Sequence, residues 1–62
     1  PDKKEYLDIV EKIADDRKLA VDKERLFSAA ERWATRRGGR SPRCARQFIY
    51  FVESAEKRGK AW

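Results

Sequence analysis

The chain predicts an all-α fold, a small three-helix bundle, on three observations. Three stretches repeat apolar side chains at the i, i+3, i+4, i+7 spacing of a half-buried helix. Each stretch opens on a side chain that can accept an orphan backbone N–H: Asp2, Asp22 and Ser41. The breaks between them, Leu19-Ala20-Val21 and Gly38-Gly39, are too short to hold another element.

The first helix is expected over 2–18. Tyr6, Val10, Ile13 and Arg17 form its inner row, flanked by Leu7, Ile9 and Ala14. Asp8, Lys12 and Asp15 face away, with Asp8 and Lys12 spaced as an i,i+4 pair. Leu19-Ala20-Val21 is an apolar link expected to tuck under the second helix, which runs over 22–37. Leu26, Ala30, Trp33 and Arg37 make that helix's inner row, widened by Phe27 and Ala34. Ser28, Glu31, Arg32 and Thr35 are its outer face. Gly38 suits the left-handed residue after a helix end. The third helix is expected over 42–58. Cys44, Phe48, Phe51, Val52 and Ala55 form its apolar face, with Ala45 and Ile49 at the edge. Arg43, Arg46, Tyr50, Glu53 and Lys57 lie opposite. Residues 59–62 are expected to be a frayed tail, which puts the folded domain at 1–58.

Composition excludes several chemistries. With no histidine and one cysteine among 62 residues, no internal disulfide or Ser-His or Cys-His nucleophile can be built. Asp15 and Asp16 are adjacent on a helix and point apart, so they read as solvated carboxylates and not as an acid/base pair. Cys44 falls on the apolar face and reads as a core residue, as does Trp33. No apolar run approaches the ~18 residues of a membrane span. No secretory segment is visible. A cytoplasmic location without membrane contact is the expectation. The start at Pro1, without a methionine, suggests a domain of a longer protein.

Charge is unevenly placed. Residues 1–31 hold seven Lys/Arg and nine Asp/Glu, whereas residues 32–62 hold nine Lys/Arg and two Asp/Glu. Six arginines and no acid fall between Arg32 and Arg46. An anionic partner for the second half would explain this, as would a solvated basic surface.

Residues 38–48, Gly-Gly-Arg-Ser-Pro-Arg-Cys-Ala-Arg-Gln-Phe, are the most informative stretch. Pro42 at the first helical position loses no hydrogen bond. Arg43 then sits in the first turn, where the helix dipole disfavours a cation. An anion meeting both Arg43 and the free N–H groups would reconcile the two. Tyr50, beside Arg43 and Arg46 on the helix wheel, could stack on a base.

This order of helices, with Ser-Pro-Arg opening the third, resembles the C-terminal helical lid of AAA+ ATPases. The Gly-Gly-Arg-Ser-x-Arg-x-Ala-Arg-Gln-Phe stretch looks most like a family of bacterial predicted AAA+ ATPases of unassigned function. Pro1-Asp2, Tyr6-Leu7-Asp8-Ile9-Val10 and Arg32-Trp33-Ala34 extend the likeness. The resemblance implies an AAA+ lid-like bundle with Arg43 as the sensor-2 arginine on the nucleotide phosphates. Arg40, Ser41 and Arg46 would support it. The glycine lies one residue further from Arg43 than in the bacterial Holliday-junction branch-migration motor, which leaves Arg40 as the alternative register. The chain has no Gly-x-x-x-x-Gly-Lys-Ser/Thr loop. ATP and Mg²⁺ would therefore be bound mainly by a core domain absent from this chain, and the fragment alone would not be an enzyme. The implied partners are that core domain and neighbouring subunits of a homo-oligomer.

Two further readings stay open. A small basic nucleic-acid-binding domain would place the third helix in a groove, with Arg40, Arg43, Arg46 and Tyr50 touching. A purely structural interaction domain needs none of these contacts.

Overall fold

A computed structural model describes residues 2–62. The domain expected over 1–58 begins at Pro1, which lies outside the described residues. The fold is all-helical: α1 Lys3–Asp16, α2 Lys23–Arg36 and α3 Pro42–Arg58 pack together, with no strand among the described residues. Asp2, Asp22 and Ser41 cap as expected, accepting from the N–H groups of Glu5, Arg25 and Cys44.

The helix ends are set by hydrogen bonding. After α1, Lys18 takes a left-handed φ of 56° and the Leu19 N–H returns to the Ala14 carbonyl at 3.0 Å. This turn stops α1 two residues before the expected end. After α2, Gly38 has φ 89° and the Gly39 N–H returns to the Ala34 carbonyl at 2.9 Å. Both returns satisfy an orphan carbonyl at a helix end, and after α1 the Lys18 N–H adds a second bond, to the Asp15 carbonyl at 3.0 Å.

The core is Tyr6, Val10 and Ala14 from α1, Leu26, Ala29, Ala30 and Ala34 from α2, and Cys44, Ala45, Phe48, Ile49 and Val52 from α3. Each inner row is rotated slightly from the expected one. On α1, Ala14 is buried while Ile13 is half-buried, and Arg17 is exposed as the C-cap. On α2, Leu26 and three alanines make the buried row, Trp33 is half-buried and Arg37 is exposed. On α3, Ala45 and Ile49 are central, whereas Phe51 keeps 41% of its surface exposed. The larger Trp33 and Phe51 stack on each other at the margin of the core, with centroids 5.0 Å apart. Asp8 pairs with Lys4 at 3.2 Å, not with Lys12.

The tail is not frayed at its end. Gly59 adopts φ 67° and the Lys60 N–H bonds to the Ala55 carbonyl at 2.8 Å. That turns the chain so that Trp62 packs against the core. The Trp62 indole N–H donates to Glu56 at 2.9 Å, and the Arg25 guanidinium lies 4.2 Å from its ring centroid. Among the described residues, no helix is long and apolar enough to cross a membrane.

Candidate functional site

The second junction carries an open cleft of about 300 Å³, lined in part by Gly39, Arg40, Ser41, Arg43 and Gln47. Its backbone is built by Gly38 and Gly39, at φ 89° and 146°, which only glycine adopts without strain. Ser41 and Pro42 then restart the helix with Arg43 in its first turn. The glycines and the cap therefore decide where Arg43 points.

The arginines around this cleft are not equivalent. Arg40 reaches back to Glu31 on α2 in a two-pronged pair, with Nε–Oε2 at 3.0 Å and Nη2–Oε1 at 2.7 Å. That fork is the strong form of an ion pair. The Arg40 hydrogen bond holds the Glu31 carboxyl below the usual carboxylate range and raises the Arg40 guanidinium further. Arg37 lies over the Trp33 ring, 4.3 Å from its centroid. Arg43 is exposed and has neither a carboxylate nor an aromatic partner among the described residues.

The N–H inventory at this helix end is short. Pro42 has none. Ser41 Oγ accepts from Cys44 N at 3.0 Å, and Ala45 N bonds to the Ser41 carbonyl at 3.0 Å. The first turn therefore leaves only the backbone N–H of Arg43 itself without a partner among the described residues. Glu5 and Glu24 provide negative charge in the first turns of α1 and α2; α3 has no acid there. The positive end of the α3 dipole is thus uncompensated by the chain.

Beneath the cleft the packing is firm. Tyr6 is buried, donates its O–H to the Ala30 carbonyl at 3.1 Å, and lies 3.9 Å from Cys44 Sγ. Burial, with a smaller push from Cys44, raises the phenol well above its ordinary pKa, so it stays neutral. Cys44 is buried and unbridged, as its place on the apolar face implied.

Of the residues singled out in the sequence, Arg40, Ser41 and Arg43 converge on this cleft, while Arg46 does not line it. Tyr50 is 53% exposed, but its ring is met by Arg17, 4.9 Å from the centroid, and not by Arg43 or Arg46. Arg17 is held there by Glu53, with Nε–Oε1 at 3.0 Å. Sequence reasoning missed Gln47 and Arg37 as cleft residues. Gln47 stands four residues from Arg43, a helical spacing that could have found it. No group of three or more metal-ligating side chains occurs among the described residues.

Residues 1–56 match the family described as "Protein of unknown function (DUF815)", a family of predicted AAA-type ATPases of unknown function. The chain belongs to this family. The match covers all three helices but for the last residues of α3. No curated protein and no solved structure matches the chain.

Proposed function

We propose that this chain is the lid subdomain of a bacterial AAA+ ATPase and that Arg43 is its sensor-2 arginine. In this reading Arg43 reaches the phosphates of ATP held, with Mg²⁺, mainly by the core domain of the same protein. The carrying observation is that Arg43 alone among the arginines lining the cleft has no partner among the described residues. Family membership supports the ATPase part. The donor set suits a phosphate: a guanidinium, a backbone N–H from the same residue, and an uncompensated helix N-terminus. It does not suit a metal ion, which needs acceptors.

Each neighbour then has a role. Arg40 supports the site by tying the glycine turn to α2 through Glu31. Ser41 starts the helix at the right residue. Arg46, one turn on, adds positive potential. Phosphoryl transfer also needs Mg²⁺ ligands and a positioned nucleophile, which the core would supply. The chain alone should not hydrolyse ATP. Neighbouring subunits of a homo-oligomer are the other expected partners. The nucleic-acid reading is less favoured, because Arg40 and Tyr50 are already engaged within the domain.

The test is steady-state hydrolysis by the intact ATPase. Arg43→Ala should lower kcat by about 10²-fold, as loss of a charge-stabilising donor in a transition state does. Its thermal stability should stay near wild type, since exposed substitutions usually cost within about 0.5 kcal/mol. Arg46→Ala should hydrolyse ATP near the wild-type rate. Normal turnover in Arg43→Ala would end the sensor-2 assignment. Loss in Arg40→Ala but not in Glu31→Gln would move the assignment to Arg40.

A further inference from the structure

A second cleft, of about 360 Å³, lies between α2 and α3 and shares none of the lining residues Arg40, Ser41 or Arg43. Its aromatic lining includes Trp33, Phe51 and, from the folded-back tail, Trp62. Phe51 is 41% exposed and stacks on Trp33 with centroids 5.0 Å apart. An exposed aromatic of this size beside a half-buried tryptophan is the composition of an interface centre. Arg32 and Arg36, one turn apart on α2, line the same cleft. Neither has an acidic partner among the described residues, although Arg17 and Arg40 elsewhere do. The Trp33 indole N–H is also buried with no acceptor among the described residues.

We propose that this cleft docks an acidic amphipathic helix. An apolar side chain of the helix sits against Phe51 and Trp62, and two carboxylates one turn apart meet Arg32 and Arg36. Charge complementarity carries the choice of occupant. Side chains at i and i+4 on a helix stand about 5–6 Å apart, so an acidic pair at that spacing matches an arginine pair at the same spacing. Helix-in-groove recognition uses this kind of apolar seam with a charged margin. A nucleic acid fits less well. The Trp33 ring already carries Phe51 and Arg37, which leaves it poorly placed to stack on a base. The proposal places no residue of the Arg43 cleft against the partner and stands whether or not that assignment holds.

The experiment measures fluorescence anisotropy with the intact protein and a fluorescein-labelled Ala/Gln helical peptide. The peptide carries a Glu pair one turn apart and a Leu on the same face. It should bind saturably, and its Glu→Gln analogue at least about tenfold more weakly, since close charge pairs contribute on that scale. The Arg32→Glu/Arg36→Glu variant should lose the Glu peptide and gain the Lys analogue. Phe51→Ser, exposed enough to leave the fold intact, should weaken both, with far-UV helicity as the control. The idea fails if the intact protein does not bind the peptide, if the Gln analogue binds equally, if the charge swap gives no exchange of preference, or if a dT oligonucleotide displaces the peptide.

Discussion

The two helix junctions close in the same way and are used differently. Each returns an N–H to a carbonyl five residues back, after a residue at positive φ. The first then spends its side chains on the body of the bundle. Leu19 and Val21 pack half-buried against the core, Arg17 pairs with Glu53 on α3, and Lys23 pairs with Asp15 at 2.6 Å. The second junction, Arg37 to Ser41, gives the core no apolar side chain at all. It is fastened from outside, by Arg40 on Glu31 and Arg37 on Trp33. A turn held by apolar side chains is a structural hinge between helices. A turn whose side chains reach the other helices only through surface cations leaves its backbone and the next helix start open to a ligand.

Four substitutions would sharpen or break this contrast, each read by urea unfolding of the chain. Leu19→Ala should have the largest effect, about 2 kcal/mol, the low end for loss of a packed leucine. In a domain this small that is a large share of the total. A cost below about 0.5 kcal/mol would mean that the first junction is no better anchored than the second.

Gly38→Ala should cost about 1 kcal/mol, because alanine is strained at φ 89°. A Cβ there would meet nothing within 4 Å, so the whole cost is backbone conformation. A larger loss would show that the second junction is packed more tightly than its open cleft implies.

The mirror experiment is Lys18→Gly. Lys18 holds φ 56° with a side chain attached, a conformation that glycine adopts at no steric cost. The substitution should stabilise by somewhat less than about 1 kcal/mol, since glycine also loses more entropy on folding. No gain would mean that Lys18 has a compensating role at the first junction.

The smallest effect belongs to Glu31→Gln, and it depends on pH. The Arg40 hydrogen bond lowers the Glu31 pKa in the folded state. Its stabilisation is therefore present above the unfolded carboxylate value and is lost as pH falls through the lowered folded value. Glu31→Gln should be slightly less stable than wild type at neutral pH and indistinguishable in strong acid. A gap that does not change with pH would show that Arg40 does not fasten the second junction through this carboxylate.

What could be read from the sequence was the local part of this protein. Helix starts depend on one side chain reaching an N–H three residues away, so Asp2, Asp22 and Ser41 marked them correctly. Gly38 marked the end of α2 because its missing Cβ permits the turn. The end of α1 was less legible, because Lys18 takes the same role without a glycine to announce it. Arg43 at the start of α3 was equally readable, being a matter of position along one helix. Which arginines are free to act was decided only by tertiary structure. Glu53 claims Arg17 across 36 residues of chain, Glu31 claims Arg40 from the neighbouring helix, and Trp62 is drawn onto the core beside Arg25. Periodicity fixes a side chain's angle about its own helix axis. Pairing depends on how the helices are rotated and spaced against one another, which no single helix's sequence sets.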